Sequence, residues 1–490
     1  MKIWFLCDLH LSSDENTLQY SAYDFILAQI KKRCADAVAF VGDFTSDGNG
    51  EVYTRAVKKL KSLGIPALYI PGNSDLRDEA SREKNHAEAS PIHTEISGVG
   101  IYAINDSDGN ISEEALCSLD LAKRGDIVFM HHPVFGLEEP SKTKFKRWRE
   151  EHPDVFLFFG HIHKAYRSEN DFSLPALDPD KSIGQEPTAL IFDTESNETD
   201  EVYFPCPMPL DLDKYFGLTA YREDEHVRLA AEKGLPCLEL RPGAVRLRDA
   251  ELTELIGLWR KNGGKHLSLH LPEISYRDGE VITETSLDKL IRLADLLKAD
   301  RLTQHAPKVP VRLTKEDPEC LSKIAKVLAS KLDEIKRDVT VGIENMHMTK
   351  GESPLDTRRY GYIPEECLEF MNILSVYTRH KVGINFDIGH ARNNEPFSQI
   401  YQIGGWLSAV GKYCVGYHIH QVSLDEKYVR HNHTAITDVY GHLISYASFF
   451  RSWSDGRIAK APIIFEMDED GAYEITLDTF KREKERLKSL

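Results

Sequence analysis

The chain of 490 residues contains only eight cysteines, and no two of them form a CxxC pair or keep a regular spacing. That scatter excludes a disulfide scaffold and a cysteine-built zinc finger, and it predicts reduced, mostly buried thiols. No apolar run approaches the length a bilayer requires. The opening MKIWFLCDLH has the lysine and apolar residues of a leader, but its apolar run stops at Asp8. The expected compartment is therefore the cytoplasm, with no membrane attachment. Internal repeats and low-complexity tracts are also missing, which excludes solenoids and long linkers. A surplus of positive charge is missing too: 61 Lys and Arg face 78 Asp and Glu, for a formal charge of −17. Such a surface does not attract a polyanion as a whole, so phosphate would have to be held in a local basic cleft or through bound cations.

What the chain does contain is 41% hydrophobic and 28% charged residues, the balance of a soluble globular protein, over a length too great for one core. The stretch Pro205-Cys206-Pro207-Met208-Pro209 interrupts helix and strand alike. It sets a boundary near residue 210 and expected domains of 1–208 and 209–490.

Before the boundary, short runs rich in β-branched and aromatic residues alternate with helical patterns: IWFLCD, AVAFVGD, ALYIPGN, GVGIYAIND, DIVFMHH, VFLFFGH, TALIFDT and EVYFP. Their length and content predict buried strands. After it come YFGLTA, PCLEL, HLSLH, RLTQH, VTVGIE, VGINFD, CVGYHIH and PIIFE, separated by amphipathic segments such as SLDKLIRLADLLKA. Eight strands alternating with helices predict a (β/α)8 TIM barrel, with six strands ending in His, Glu or Asp where such barrels keep their active sites. The expected fold class is thus α/β throughout.

In the first half, Asp8-Leu9-His10, Gly42-Asp43, Gly72-Asn73-Ser74-Asp75, His131-His132-Pro133 and Gly160-His161-Ile162-His163 follow one another at successive strand ends. One such fragment means little, and a lone histidine there is more often a hydrogen-bonded core residue. The ordered set resembles the calcineurin-like metallophosphoesterases, whose fold is an α/β sandwich. The resemblance implies two divalent metals (Mn, Fe or Zn), one held by Asp8, His10, Asp43 and His163, the other by Asp43, Asn73, His131 and His161. Two cations about 3.5 to 4 Å apart need hard oxygen and imidazole ligands and a shared carboxylate, for which Asp43 is the natural bridge. Asp43, Asn73 and His131 would be catalytic. Ser74 stands where much of the family has a histidine that protonates the leaving oxygen. Loss of that acid alters substrate preference or passes the role to another group such as His132, which otherwise serves a structural purpose.

The second half delivers His270, His305, Glu344, Asp387, His390, His418, His431, His433 and Glu466 at or beyond strand ends. In order and position these resemble the endonuclease IV branch (AP endonuclease family 2) of the xylose-isomerase-like barrels. The resemblance implies up to three zinc ions, or Mn or Fe in their place. His270, His305 and Glu344 would hold one, Glu344, Asp387, His418 and Glu466 a second, and His390, His431 and His433 a third, with Glu344 and Glu466 catalytic. The family has aspartate where His431 stands. His347, His420 and His442 match no family position and are expected to support the ligands from behind or to serve the fold, with His442 on a helix.

Together these features predict a bifunctional metal-dependent phosphoesterase, a nuclease hydrolysing phosphodiester or phosphomonoester bonds of nucleic acid or nucleotides with metal-activated water. The alternative is a sugar-phosphate isomerase or epimerase barrel fused to a small-molecule phosphatase. That reading needs one metal and leaves five histidines surplus. Tyr276 and Arg277 lie in a loop of the kind that contacts damaged DNA, but at a different spacing. The basic stretch 142–150, KTKFKRWRE, reads more readily as a solvated helix face than as a phosphate contact.

Overall fold

The computed structural model describes residues 1–424, 430–441 and 443–489. His442, expected on a helix, lies outside them. The chain forms two compact units, Met1–Pro207 with Tyr440–Ser448, and Met208–Val439 with Phe449–Leu490.

The strands of the first unit are β1 (Lys2–Leu6), β2 (Ala37–Val41), β3 (Ala67–Ile70), β4 (His93–Ile96), β5 (Val99–Ile104), β6 (Ile127–Met130), β7 (Phe156–Phe159), β8 (Tyr166–Ser168), β9 (Asp171–Ser173), β10 (Thr188–Asp193) and β11 (Glu198–Tyr203). They make two sheets, ordered β11-β10-β1-β2-β3 and β4-β5-β6-β7-β9-β8. Strand pleat explains why both can be apolar on two faces. Ile3, Phe5, Ala39 and Val41 meet Ile101, Phe129 and Phe158 in the layer between the sheets, where Phe5 stacks on Phe158 at 3.9 Å. The alternate residues Trp4, Leu6, Val38 and Phe40 pack outward against the helices Leu18–Lys32 and Gly50–Lys61. Every predicted strand of this half forms. Strands β4, β8 and β9 were not legible because they are short and carry partly exposed or fully exposed polar residues.

Residues 440–448, which the sequence assigns to the second domain, pack instead within the first unit. The Gly184 N–H donates to the Tyr440 carbonyl at 2.8 Å, the Tyr440 hydroxyl donates to the Cys206 carbonyl at 3.2 Å, and the Ser182 and Ser445 hydroxyls lie 3.0 Å apart. Sequence periodicity cannot report such a return of the chain.

In the second unit the strands are β12 (Phe216–Ala220), β13 (Cys237–Leu240), β14 (His266–His270), β15 (Ile274–Arg277), β16 (Glu280–Thr283), β17 (Arg301–His305), β18 (Thr340–Glu344), β19 (Lys381–Asp387), β20 (Cys414–Ile419), β21 (Gln421–Leu424), β22 (Arg430–Thr434) and β23 (Ile463–Phe465). The eight predicted strands close the parallel barrel β12-β13-β14-β17-β18-β19-β20-β23, and β15-β16 and β21-β22 are hairpins. Tyr276 is buried in the first hairpin with its hydroxyl on Asp317 at 2.6 Å, so it does not project from the loop. The basic stretch is the helix Ser141–Glu151, which buries Phe145 and Trp148 and pairs Arg147 with Glu151 and Arg149 with Asp171. Among the described residues no helix is long and apolar enough to cross a membrane, and no disulfide joins the cysteines.

Candidate metal centres

The turns leaving β1, β2, β3, β6 and β7 bring the first set of residues together. The two oxygens of Asp43 face different histidines: Oδ2 lies 3.2 Å from His10 Nε2 and Oδ1 lies 3.5 Å from His131 Nε2. His163 Nε2 is 3.4 Å from Asp8 Oδ1, and Asn73 Oδ1 sits between His131 Nε2 at 3.0 Å and His161 Nδ1 at 2.9 Å. Asp8, His10, Asp43, His161 and His163 all have φ between 50 and 69°. Non-glycine residues adopt that left-handed conformation at a cost and mostly where function requires it. Gly72 approaches so closely that a Cβ there would lie 2.3 Å from Asp43 Oδ1.

Further carboxylates outside the expected ligand sets hold these turns. Asp75 accepts N–H bonds from Gly72 (2.9 Å), Phe44 (3.1 Å) and Thr45 (2.8 Å); burial and the nearby Asp43 raise its pKa to about 7. Asp106 accepts the N–H groups of His131 and His132 and lies 3.1 Å from His132 Nδ1. Asp178 lies 3.5 Å from His10 Nδ1. Ser74 is buried with its hydroxyl on the Thr45 carbonyl and its N–H on Asp43 Oδ1 at 2.8 Å, so this residue clamps the bridging carboxylate.

At the carboxyl ends of the barrel strands, Glu344 occupies the centre. Its oxygens lie 3.5 Å from His270 Nε2, 3.9 Å from His305 Nε2 and 3.3 Å from His418 Nδ1. His418 Nδ1 is also 2.7 Å from Glu466 and 3.9 Å from Asp387. Its other nitrogen lies 3.0 Å from Glu239, which accepts the Ser268 and Thr303 hydroxyls at 2.8 and 2.6 Å. Arg241 and the Tyr221 hydroxyl both donate to Glu466. Beside this group the ligand atoms of His390, His420 and His433 lie within 4.8 Å of one another. Sequence order assigns that place to His431 and a supporting role to His420; the structure brings His420 in and leaves His431 exposed on β22.

Protonation follows from burial and charge. Burial pushes His10 and His390 down to about 3, and burial together with His131 takes His161 to about 4, so these imidazoles are neutral and in the ligand form. His131 and His418 behave oppositely: burial disfavours their charge, but Asp43 and Asp8 hold His131 at about 9, and Glu344, Glu239 and Glu466 raise His418. Each thus stands where carboxylates call for a cation. The residues fit metal ions on a second count, because the buried atoms Asp8 Oδ1, Asp387 Oδ2 and His270 Nε2 make no hydrogen bond among the described residues.

Residues 227–490 match the xylose isomerase-like TIM barrel family, and residues 1–165 match the calcineurin-like phosphoesterases. A "probable glycerophosphodiester phosphodiesterase" of Arcobacter nitrofigilis is 31% identical over 158 residues, which are 26% of this chain and 57% of that protein. The chain therefore spans less than two thirds of that relative's length. Among solved structures, a D-tagatose 3-epimerase-like protein (20% identity, TM-score 0.40) aligns with 56% of this chain and 98% of its own. Endonuclease IV from Thermus thermophilus (16% identity, TM-score 0.37) aligns with 56% and 99%.

Proposed function

The chain belongs to the xylose isomerase-like TIM barrels through residues 227–490 and carries a calcineurin-like phosphoesterase domain over residues 1–165, and from that premise we propose a bifunctional metal-dependent phosphoesterase that hydrolyses phosphodiester bonds of nucleic acid or nucleotides. In this reading Asp8, His10, Asp43 and His163 hold one divalent cation of the first domain, and Asp43, Asn73, His131 and His161 hold the other. In the barrel His270, His305 and Glu344 hold one cation, and Glu344, Asp387, His418 and Glu466 another. Such cations neutralise phosphate oxygens and acidify a water to near neutral pH. Manganese, iron or zinc suits these mixed carboxylate and imidazole sets.

The chain's own residues do the rest. Asp43 and Glu344 each face histidines with both oxygens, the arrangement that fixes two cations side by side. Asp106 steadies His132, whose ring lies 4.6 Å from that of His161; this imidazole serves the leaving oxygen in place of the acid that Ser74 cannot provide. Arg241 and Tyr221 orient Glu466.

The observation that carries the reading is the surplus of barrel ligands. An isomerase works with one cation and about four ligands, whereas here the His390, His420 and His433 group adjoins a complete carboxylate set. The test is cleavage of end-labelled oligonucleotides, with and without an abasic site, by the parent protein and by Asp43→Ala and Glu344→Ala variants in manganese and in zinc. Loss of cutting with one variant assigns the activity to that domain. Absence of cutting by folded, metal-loaded protein refutes the nuclease and favours sugar phosphates.

A further inference from the structure

Two imidazoles in the barrel share one hydrogen-bonding pattern. His390 Nδ1 sits 3.0 Å from the Asn345 carbonyl and His433 Nδ1 3.1 Å from the Glu466 carbonyl. A main-chain carbonyl on Nδ1 favours the tautomer whose Nε2 lone pair is available, and metal-binding histidines are usually fixed this way. The rings converge: His420 and His433 are 4.3 Å apart, His390 and His433 5.8 Å, and His390 and His420 6.0 Å. His420 is fully buried, with Nε2 3.3 Å from Asp387 Oδ1. Its Nδ1 accepts the His433 N–H at 3.0 Å, which ties it to the same hairpin.

The seat is built for this ring. A Cβ on Gly389 would come 2.0 Å from His420 Cε1 and 2.3 Å from Nε2, so only glycine at 389 admits the imidazole. His431, two residues before His433, is exposed.

We infer that His420 is the third protein ligand of a cation site formed with His390 and His433, and that this site selects a borderline cation such as zinc or cobalt(II). The inference rests on the proposed function. Three imidazole ligands favour borderline metals over magnesium or manganese, which prefer oxygen.

The test counts cobalt(II) in the full chain carrying Asp8→Ala, Asp43→Ala and His131→Ala, which leave two protein ligands at each first-domain site and confine the count to the barrel. After chelation and reconstitution with cobalt(II) alone, metal per chain is measured by mass spectrometry and the site by its visible absorption. Adding His420→Ala should remove one equivalent and part of the visible band, with the circular dichroism unchanged; adding His431→Ala should remove neither. Loss of an equivalent from the His431 variant overturns the assignment by itself, even if the His420 variant does not fold. A full complement that survives His420→Ala overturns this inference alone. A single equivalent in the parent overturns the phosphoesterase reading along with it.

Discussion

Glu239 belongs to no motif along the chain, yet its carboxylate decides which nitrogen of His418 faces the cluster. Outer partners of this kind typically change metal affinity about 10 to 100-fold. Glu239→Gln should therefore weaken the tightest barrel cation by about that factor in a chelator competition, with the first domain's affinity unchanged. Most of the clustered histidines and carboxylates were legible because they lie at strand ends in short local patterns. Glu239, Asp106 and Asp178 were not, because nothing in the sequence separates a buried aspartate under a histidine from one on the surface. His132 gives a second prediction at this scale. His132→Ala should slow hydrolysis of alkyl phosphodiesters about 10² to 10⁴-fold while scarcely affecting p-nitrophenyl esters, whose leaving group needs no proton. An equal loss on both substrate classes would remove the acid role.

At the scale of elements, the hairpin explains why His420 lies beside His390 and His433 while His431 is exposed. Strands were readable from composition, but the hairpin β21-β22 is set by a register shift between Gln421 and Ser423, and such a bulge re-aims every side chain beyond it. Neither residue type nor spacing records the bulge. The left-handed turns after β1, β2 and β7 carry their own consequence. At His163, φ 62°, glycine is at ease and alanine is strained by roughly 1 to 2 kcal/mol. His163→Gly and His163→Ala both lose the imidazole, so in metal-free denaturant titrations the glycine variant should be the more stable by about that amount. Equal stabilities would mean the turn relaxes once the imidazole is gone.

For the molecule as a whole, cations bound to two groups of buried carboxylates should stabilise the fold. Ligand at 100 times its dissociation constant adds about 2.7 kcal/mol per site, so chelation should lower the melting temperature and zinc or manganese should restore it. Indifference to chelator would count against any resident metal. The α/β sandwich and the barrel were both evident in the strand pattern, since each half repeats a local unit. The placement of Tyr440–Ser448 was not, because its contacts with Cys206 and Ser182 join residues 234 and 263 positions apart.

That returning segment also bears on how the protein is made. A ribosome delivers Pro207 well before Ser448, and at about 5 to 20 residues per second the interval is on the order of 10 to 50 seconds. Throughout that time the nascent first domain has yet to receive the hydrogen bonds that Tyr440 and Ser445 bring to Gly184, Cys206 and Ser182 in the finished protein. The amino-terminal phosphoesterase half is therefore the first to be synthesised but cannot be completed until the barrel has nearly emerged.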